Sequence, residues 1–185
     1  MSEPADASMM NIVPMSTRRS RQLDEEFADL FAAAYPQLVR TVWFVIHDRA
    51  AAEEVAQDAF TELFRDWSRL RDFDRPDLWV RRVAIRKAQR EAARRTRRVV
   101  LEQSSATVPL VEDGVTLPDP ELIAAIQALP AKQRAIVVLF YLEDRPMAEV
   151  ADLVGCSTST GFVHLHHARK RLAAALGEEV DSDVD

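Results

Sequence analysis

The sequence predicts an all-α fold, with two small helical domains joined by an extended linker. Three observations predict it. Apolar residues recur at helical spacing in both halves, and no alternating strand pattern occurs anywhere. The stretch from Leu101 to Pro120 breaks that spacing with Pro109, Pro118, Pro120, Gly114 and several acids. Only 4 glycines in 185 residues leave hairpin arrays and Gly-rich phosphate loops poorly supplied.

The elements follow in order. Residues 1–22 read as a flexible arm of Ser, Thr, Met and Pro without periodicity. From Asp24 to about Ile46, Phe27, Leu30, Phe31, Leu38, Val42 and Val45 fit a helix, with Pro36 expected to kink or restart it. Asp48 is the expected N-cap of a second helix that carries Val55, Ala59, Leu63 and Trp67 on one face. A polar loop from Arg69 to Asp77 precedes a third helix to about Arg97. There Arg82, Arg86, Arg90 and Arg94 recur every four residues as one basic stripe, and Val80, Val83, Ala84 and Ala88 supply the buried side. After the linker, helices are expected over Glu121–Ala128, from Pro130 to Leu142, from Pro146 to Val154, and from Ser157 to about Leu176. The chain thus divides into an arm (1–22), a first domain (23–98), an acidic linker (99–119), a second domain (120–176) and an acidic tail (177–185).

Composition narrows the class. Hydrophobic residues make up 48% and charged residues 29%, ordinary for a folded soluble chain. The single Cys156 excludes an internal disulfide and any CxxC metal knuckle. No apolar run of about 18 residues occurs, and no apolar stretch follows Arg18, Arg19 and Arg21, so neither a membrane span nor a secretory signal is expected. A cytoplasmic protein is the expectation.

The net charge of −6 hides a strong segregation. Residues 75–98 hold ten Lys/Arg against Asp77 and Glu91, a net of +8. Residues 23–64 hold nine acids against Arg40 and Arg49, a net of −7. A basic block inside an acidic chain points to a confined phosphate contact, with the other faces meeting something else.

The segment from Pro146 to Leu176 reads as helix, Gly-containing turn, helix, which is the helix-turn-helix pattern. Ala151 permits close helix approach, Gly155 supplies the turn, and Ser157 or Thr158 caps the second helix toward phosphates.

Three ordered stretches carry a family resemblance. They are Glu53-Glu54-Val55-Ala56-Gln57-Asp58-Ala59-Phe60 with Trp67; Leu78-Trp79-Val80-Arg81-Arg82-Val83-Ala84 running into Arg94-Arg95-Thr96-Arg97-Arg98; and Leu129-Pro130-Ala131-Lys132-Gln133-Arg134 through Ala151-Asp152-Leu153-Val154-Gly155-Cys156-Ser157 to Ala168-Arg169-Lys170-Arg171-Leu172. Together the chain resembles the extracytoplasmic-function sigma factors of the sigma-70 family, bacterial transcription initiation factors. The first domain is similar to sigma region 2 and the second to the region 4 helix-turn-helix.

The resemblance implies roles. Glu54, Gln57, Asp58 and Leu63 would bind the β and β′ subunits of core RNA polymerase. Arg82, Arg86, Lys87, Arg90 and Arg94 would engage promoter DNA near −10, with Trp79 packing. The loop from Leu70 to Pro76 would hold unstacked bases. Thr158, Ser159, Phe162, Val163, His166, His167 and Lys170 would meet the −35 element. The linker would thread the polymerase cleft. Promoter DNA and polymerase are the implied partners, an anti-sigma factor is a further candidate, and a monomer is expected when the chain is free. No cofactor and no membrane association are implied.

The sequence departs from the family at Gly161, where a core Val is usual, at Phe162 and His164, where Lys and Arg are usual, and at Arg86 and Arg90, where Asn and Asp are common. Phe162 lies three residues before Leu165, so it can turn inward and replace the missing side chain. The outward face is then Ser159, Val163, His166, His167 and Lys170, with few fixed charges, which predicts either an unusual −35 preference with apolar contacts to thymine methyls or weaker −35 binding.

Other readings are weaker. His164 and His167 lie one turn apart, but no carboxylate adjoins them and Cys156 belongs to the turn, so no metal site is expected. The paired acids lack a nucleophile and base, so no enzyme is expected. A sigma-like decoy for an anti-sigma protein would not need the arginine stripe. A plain helix-turn-helix regulator would leave residues 24–98 unexplained.

Overall fold

The computed structural model describes residues 15–73, 75–102 and 119–177. All regular elements among them are helical: α1 (Met15–Ile46), α2 (Arg49–Arg65), α3 (Trp67–Leu70), α4 (Pro76–Glu102), α5 (Pro120–Ala128), α6 (Ala131–Val137), α7 (Met147–Val154) and α8 (Thr158–Leu176). A π-helical turn, Val138–Leu142, extends α6. Most of the linker, the tail and residues 1–14 lie outside the described residues.

α1 begins at Met15, so residues 15–22 are helical rather than part of the expected arm. Pro36 neither ends nor restarts this helix. It lies on the exposed side with Ala32, so the carbonyl that loses its N–H partner faces water. His47 ends α1 in the left-handed region (φ 59°), with its N–H donating to Trp43 O. Asp48 then caps α2 by accepting from Ala51 N at 2.8 Å.

α1, α2 and α4 pack around Leu38, Val42, Val45, Ala56, Phe60, Leu63, Val80, Ala84 and Ile85. α5 to α8 form the second bundle around Ile136, Leu139, Val150, Leu153 and Leu165. Both halves belong to one continuous buried cluster, because α7 and α6 lie against α4 and α1. A second patch joins Phe44 and Trp43 of the first half to Ile123 and Val138 of the second.

Two polar features sit in this seam. Arg81 Nη1 donates to both carboxylate oxygens of Glu143 at 2.9 Å, and Arg145 Nε donates to the same carboxylate at 2.7 Å. Arg134 donates to Val45 O (2.6 Å), Gln127 O (2.5 Å) and Leu129 O (2.9 Å). Those carbonyls lie at the C-terminal ends of α1 and α5, where helix dipoles favour a cation. Burial pulls the Arg134 guanidinium down to about 10, which keeps it charged at neutral pH. The Nε atoms of Arg81, Arg82 and Arg134 and Oε1 of Gln133 are buried there without a hydrogen-bond partner.

Candidate nucleic-acid interface

α7 and α8 form the helix-turn-helix. Gly155 adopts the left-handed conformation (φ 79°) that closes α7, and Gly155 N and Cys156 N both donate to Ala151 O at 2.9 Å. Ser157 caps α8 by accepting from Thr160 N at 3.1 Å. Leu165 and Ala168 point into the bundle. Thr158, Ser159, Phe162, Val163, His166, His167 and Lys170 are all exposed.

Phe162 therefore does not turn inward; 52% of its surface is open. The inward position belongs to Gly161, and Met147 fills the space: a Cβ on Gly161 would stand 2.7 Å from Met147 Sδ and 3.7 Å from Ala151 Cβ. The missing side chain is replaced from the neighbouring helix, which leaves Phe162 free to join Val163 on the outer face. His164 is half-buried; burial, followed by Lys132 and His167, lowers its pKa.

α4 carries the arginine stripe. Arg90 and Arg94 are exposed, and Arg94 reaches Glu91 only at 3.8 Å. Arg82 pairs with Asp152 of α7. Arg86 is exposed but lies over the turn, where a Cβ on Gly155 would stand 3.5 Å from its Nε. Lys87 bridges Glu62 at 2.8 Å and Asp58 at 3.1 Å. Burial works against its ammonium, but the two carboxylates outweigh it and raise its pKa. Trp79 packs against the core.

On α2, Glu54, Gln57 and Asp58 are exposed together. Leu63 is not a contact residue: it is 0% exposed and fills the core. Its place on the apolar face with Ala56, Ala59 and Phe60 turns it away from solvent. Beside the exposed Gln57 an open groove of about 410 Å³ is lined by Phe27, Phe31, Phe60, Thr61 and Phe64. Phe27 packs edge-on to Phe64 (4.9 Å) and to Trp67 (5.5 Å). Helical spacing placed Phe27 and Phe31 on the first helix and Trp67 on the packed face of the second, and did not single out Phe64. The signal for the groove was Phe64, which falls off the Ala56–Leu63 face yet remains aromatic.

Arg81 and Glu143 were also missed. Arg81 follows Asp77 by four residues and precedes Ala84, Ala88 and Ala92, so it stands on the buried arc of α4 rather than on the stripe. Burial lowers the Arg81 pKa despite the opposing pull of Glu143. The loop between α3 and α4 turns Phe73 outward, more than half exposed. Among the described residues no group of three His, Cys, Asp or Glu is arranged to hold a metal, and no helix is long and apolar enough to cross a membrane.

Residues 30–98 match the family model for Sigma-70 region 2, and residues 120–172 match Sigma-70, region 4. The chain belongs to the sigma-70 family, in its extracytoplasmic-function branch. It is 29% identical over 154 residues to an RNA polymerase sigma-E factor of Streptomyces antibioticus, covering 82% of this chain and 84% of that one. A sigma-E factor of Streptomyces coelicolor is 28% identical over 162 residues, covering 86% and 89%. The fold matches the sigma factor RpoE of Bartonella quintana, solved with the anti-sigma factor NepR, with a TM-score of 0.67 at 18% identity over 85% of this chain and 99% of that one. In this sigma-70 frame α1–α4 are region 2, and α5–α8 are region 4.

Proposed function

We propose that this sigma factor binds core polymerase through the Glu54, Gln57 and Asp58 face of α2, contacts −10 DNA through the arginine stripe of α4, and reads −35 DNA through α8. The carrying observation is the outer face of α8. Thr158, Ser159, Phe162, Val163, His166, His167 and Lys170 are all exposed on one capped helix whose inner face, Gly161, Leu165 and Ala168, is buried. Such a helix suits the major groove with its N-terminal turn near the backbone. Phe162 and Val163 bring apolar surface, which matches thymine methyl groups.

The acidic face of α2 suits a basic partner, and the adjoining aromatic groove gives it apolar area to bury. Arg82, Arg86, Arg90 and Arg94 offer phosphate contacts along one side of α4, with Lys87 turned toward α2. Phe73 offers a ring on which an unstacked base can rest during melting. The chain works in the cytoplasm beside polymerase, has no catalysis of its own, and is open to capture by an anti-sigma protein. The retained basic stripe and the intact α8 face argue for promoter work rather than a decoy role.

The test is co-elution of the chain with bacterial core polymerase, followed by crosslinking of the complex to promoter DNA. A 1:1 complex that crosslinks from α8 near −35 and from α4 near −10 supports the assignment. A complex that crosslinks nowhere on DNA overturns the DNA-facing roles.

A further inference from the structure

The acidic and basic faces of region 2 meet along a cleft between α2 and α4. The cleft has a volume of about 310 Å³, with Glu54 and Asp58 on one wall and Lys87, Arg90 and Arg94 on the other. Arg90 and Arg94 are exposed. Lys87 is turned across the cleft instead. Its Nζ lies 2.8 Å from Glu62 and 3.1 Å from Asp58, and three-quarters of its side chain is covered. The two acids stay open to a partner: the Asp58 side chain is 62% exposed and the Glu62 side chain 43%.

Helix geometry explains the division. Lys87 stands about 100° around α4 from Arg86, on the side that meets α2 rather than on the line of the N-terminal arginines. Asp58 and Glu62 are one turn apart on α2, so one ammonium reaches both. Without it the two carboxylates would repel each other. Any basic group that docks on Asp58 must therefore share that carboxylate with Lys87.

We propose that Lys87 is the internal counter-ion of the polymerase-binding face: it holds Asp58 and Glu62 in the free chain, competes for them with a basic group of core polymerase, and so sets how tightly the chain binds core. It is not a phosphate contact. This rests on the reading that the Asp58 face of α2 meets polymerase.

The energetics favour this role over the DNA side. To reach a phosphate the ammonium would leave two carboxylates for one anion. A basic group of a partner, by contrast, approaches the exposed sides of the same carboxylates directly. Partly exposed ion pairs are weak and screened by salt, so the competition is modest in size and disappears as salt rises.

The experiment titrates the labelled full chain with bacterial core polymerase at low and at high salt. Lys87→Met is expected to tighten binding about threefold to fivefold at low salt, with most of the gain in the association rate, and to lose that gain near about 1 M salt. Lys87→Arg keeps the charge and is expected to behave as wild type. In an Asp58→Asn, Glu62→Gln background, Lys87→Met is expected to change core binding by less than about 1.5-fold, because Lys87 acts through those two acids. That background separates a counter-ion from the general effect of removing one positive charge. Lys87→Gln makes the same charge change and serves if Lys87→Met lowers helix content. The salt slope for promoter DNA binding by the polymerase complex is expected to stay at the wild-type value in Lys87→Met, whereas loss of a phosphate contact would reduce it by about 0.9.

Unchanged or weaker core binding by Lys87→Met, an equal gain in the neutralised background, or a reduced DNA slope overturns the proposal. A wild-type chain that does not bind core overturns the reading beneath it as well. Wild-type binding with no gain in Lys87→Met overturns the counter-ion alone.

Discussion

Glu143 receives Arg81 through both carboxylate oxygens at 2.9 Å, and this pair joins region 4 to region 2. Both side chains are more than nine-tenths covered. A buried pair of this kind contributes orientation more reliably than stability. It fixes where α7 lies on α4, and the Arg82–Asp152 contact follows from that placement.

Asp58→Arg tests the polymerase face. Asp58 shares Lys87 with Glu62, so its loss leaves Lys87 paired. The melting temperature is expected to stay within about 2 °C of wild type. Core binding is expected to weaken at least about tenfold, because the substitution reverses charge at the proposed contact. Titration of fluorescent variant with core reads it, and undiminished affinity moves the interface elsewhere.

Arg82→Ala with Arg86→Ala tests the stripe in the assembled polymerase complex. The slope of log affinity against log salt is expected to shrink by about 0.9 per residue removed. An unchanged slope removes both residues from the DNA face.

Gly161→Val tests the exchange of volume between α8 and α7. A Cβ there already meets Met147 Sδ at 2.7 Å, so a branched side chain overpacks the site. The expected loss is about 1–3 kcal/mol in urea unfolding. Adding Met147→Ala should cost less in that background than in wild type, since it makes the room Val needs. Additive losses would show that the two residues do not compete for space.

His47 sets a pH dependence. Burial, then Arg134, lowers its pKa from 6.5 to about 3. Between those values the unfolded chain binds a proton that the folded chain refuses, so stability falls as pH drops through that window and is fully present above it. The residue is only partly buried, so the slope is about 0.5–1 kcal/mol per pH unit. His47→Asn tolerates the left-handed backbone and should flatten the curve between pH 6.5 and 4. Parallel curves for variant and wild type would exclude His47 as the source.

Much of this molecule was legible from local chemistry. Asp48, Ser157 and Gly155 act where capping and turn rules place them, and the stripe on α4 follows from a four-residue period. What escaped was tertiary. Leu63 carries the same letter whether it faces polymerase or the core, and only the packing of α1 and α4 decides. Gly161 looked like a defect because Met147, its partner in volume, stands fourteen residues earlier on another helix. Arg81 looked like one more member of a basic block. Its partner, Glu143, lies 62 residues away, and no local pattern links them.

The most direct measurement of the sigma assignment is in vitro transcription with bacterial core polymerase on a genomic promoter library, with core alone as control. The account predicts discrete new transcripts whose start sites share −35 and −10 elements, and their loss with Asp58→Arg. Core binding without any new transcript, or no core binding at all, would contradict it.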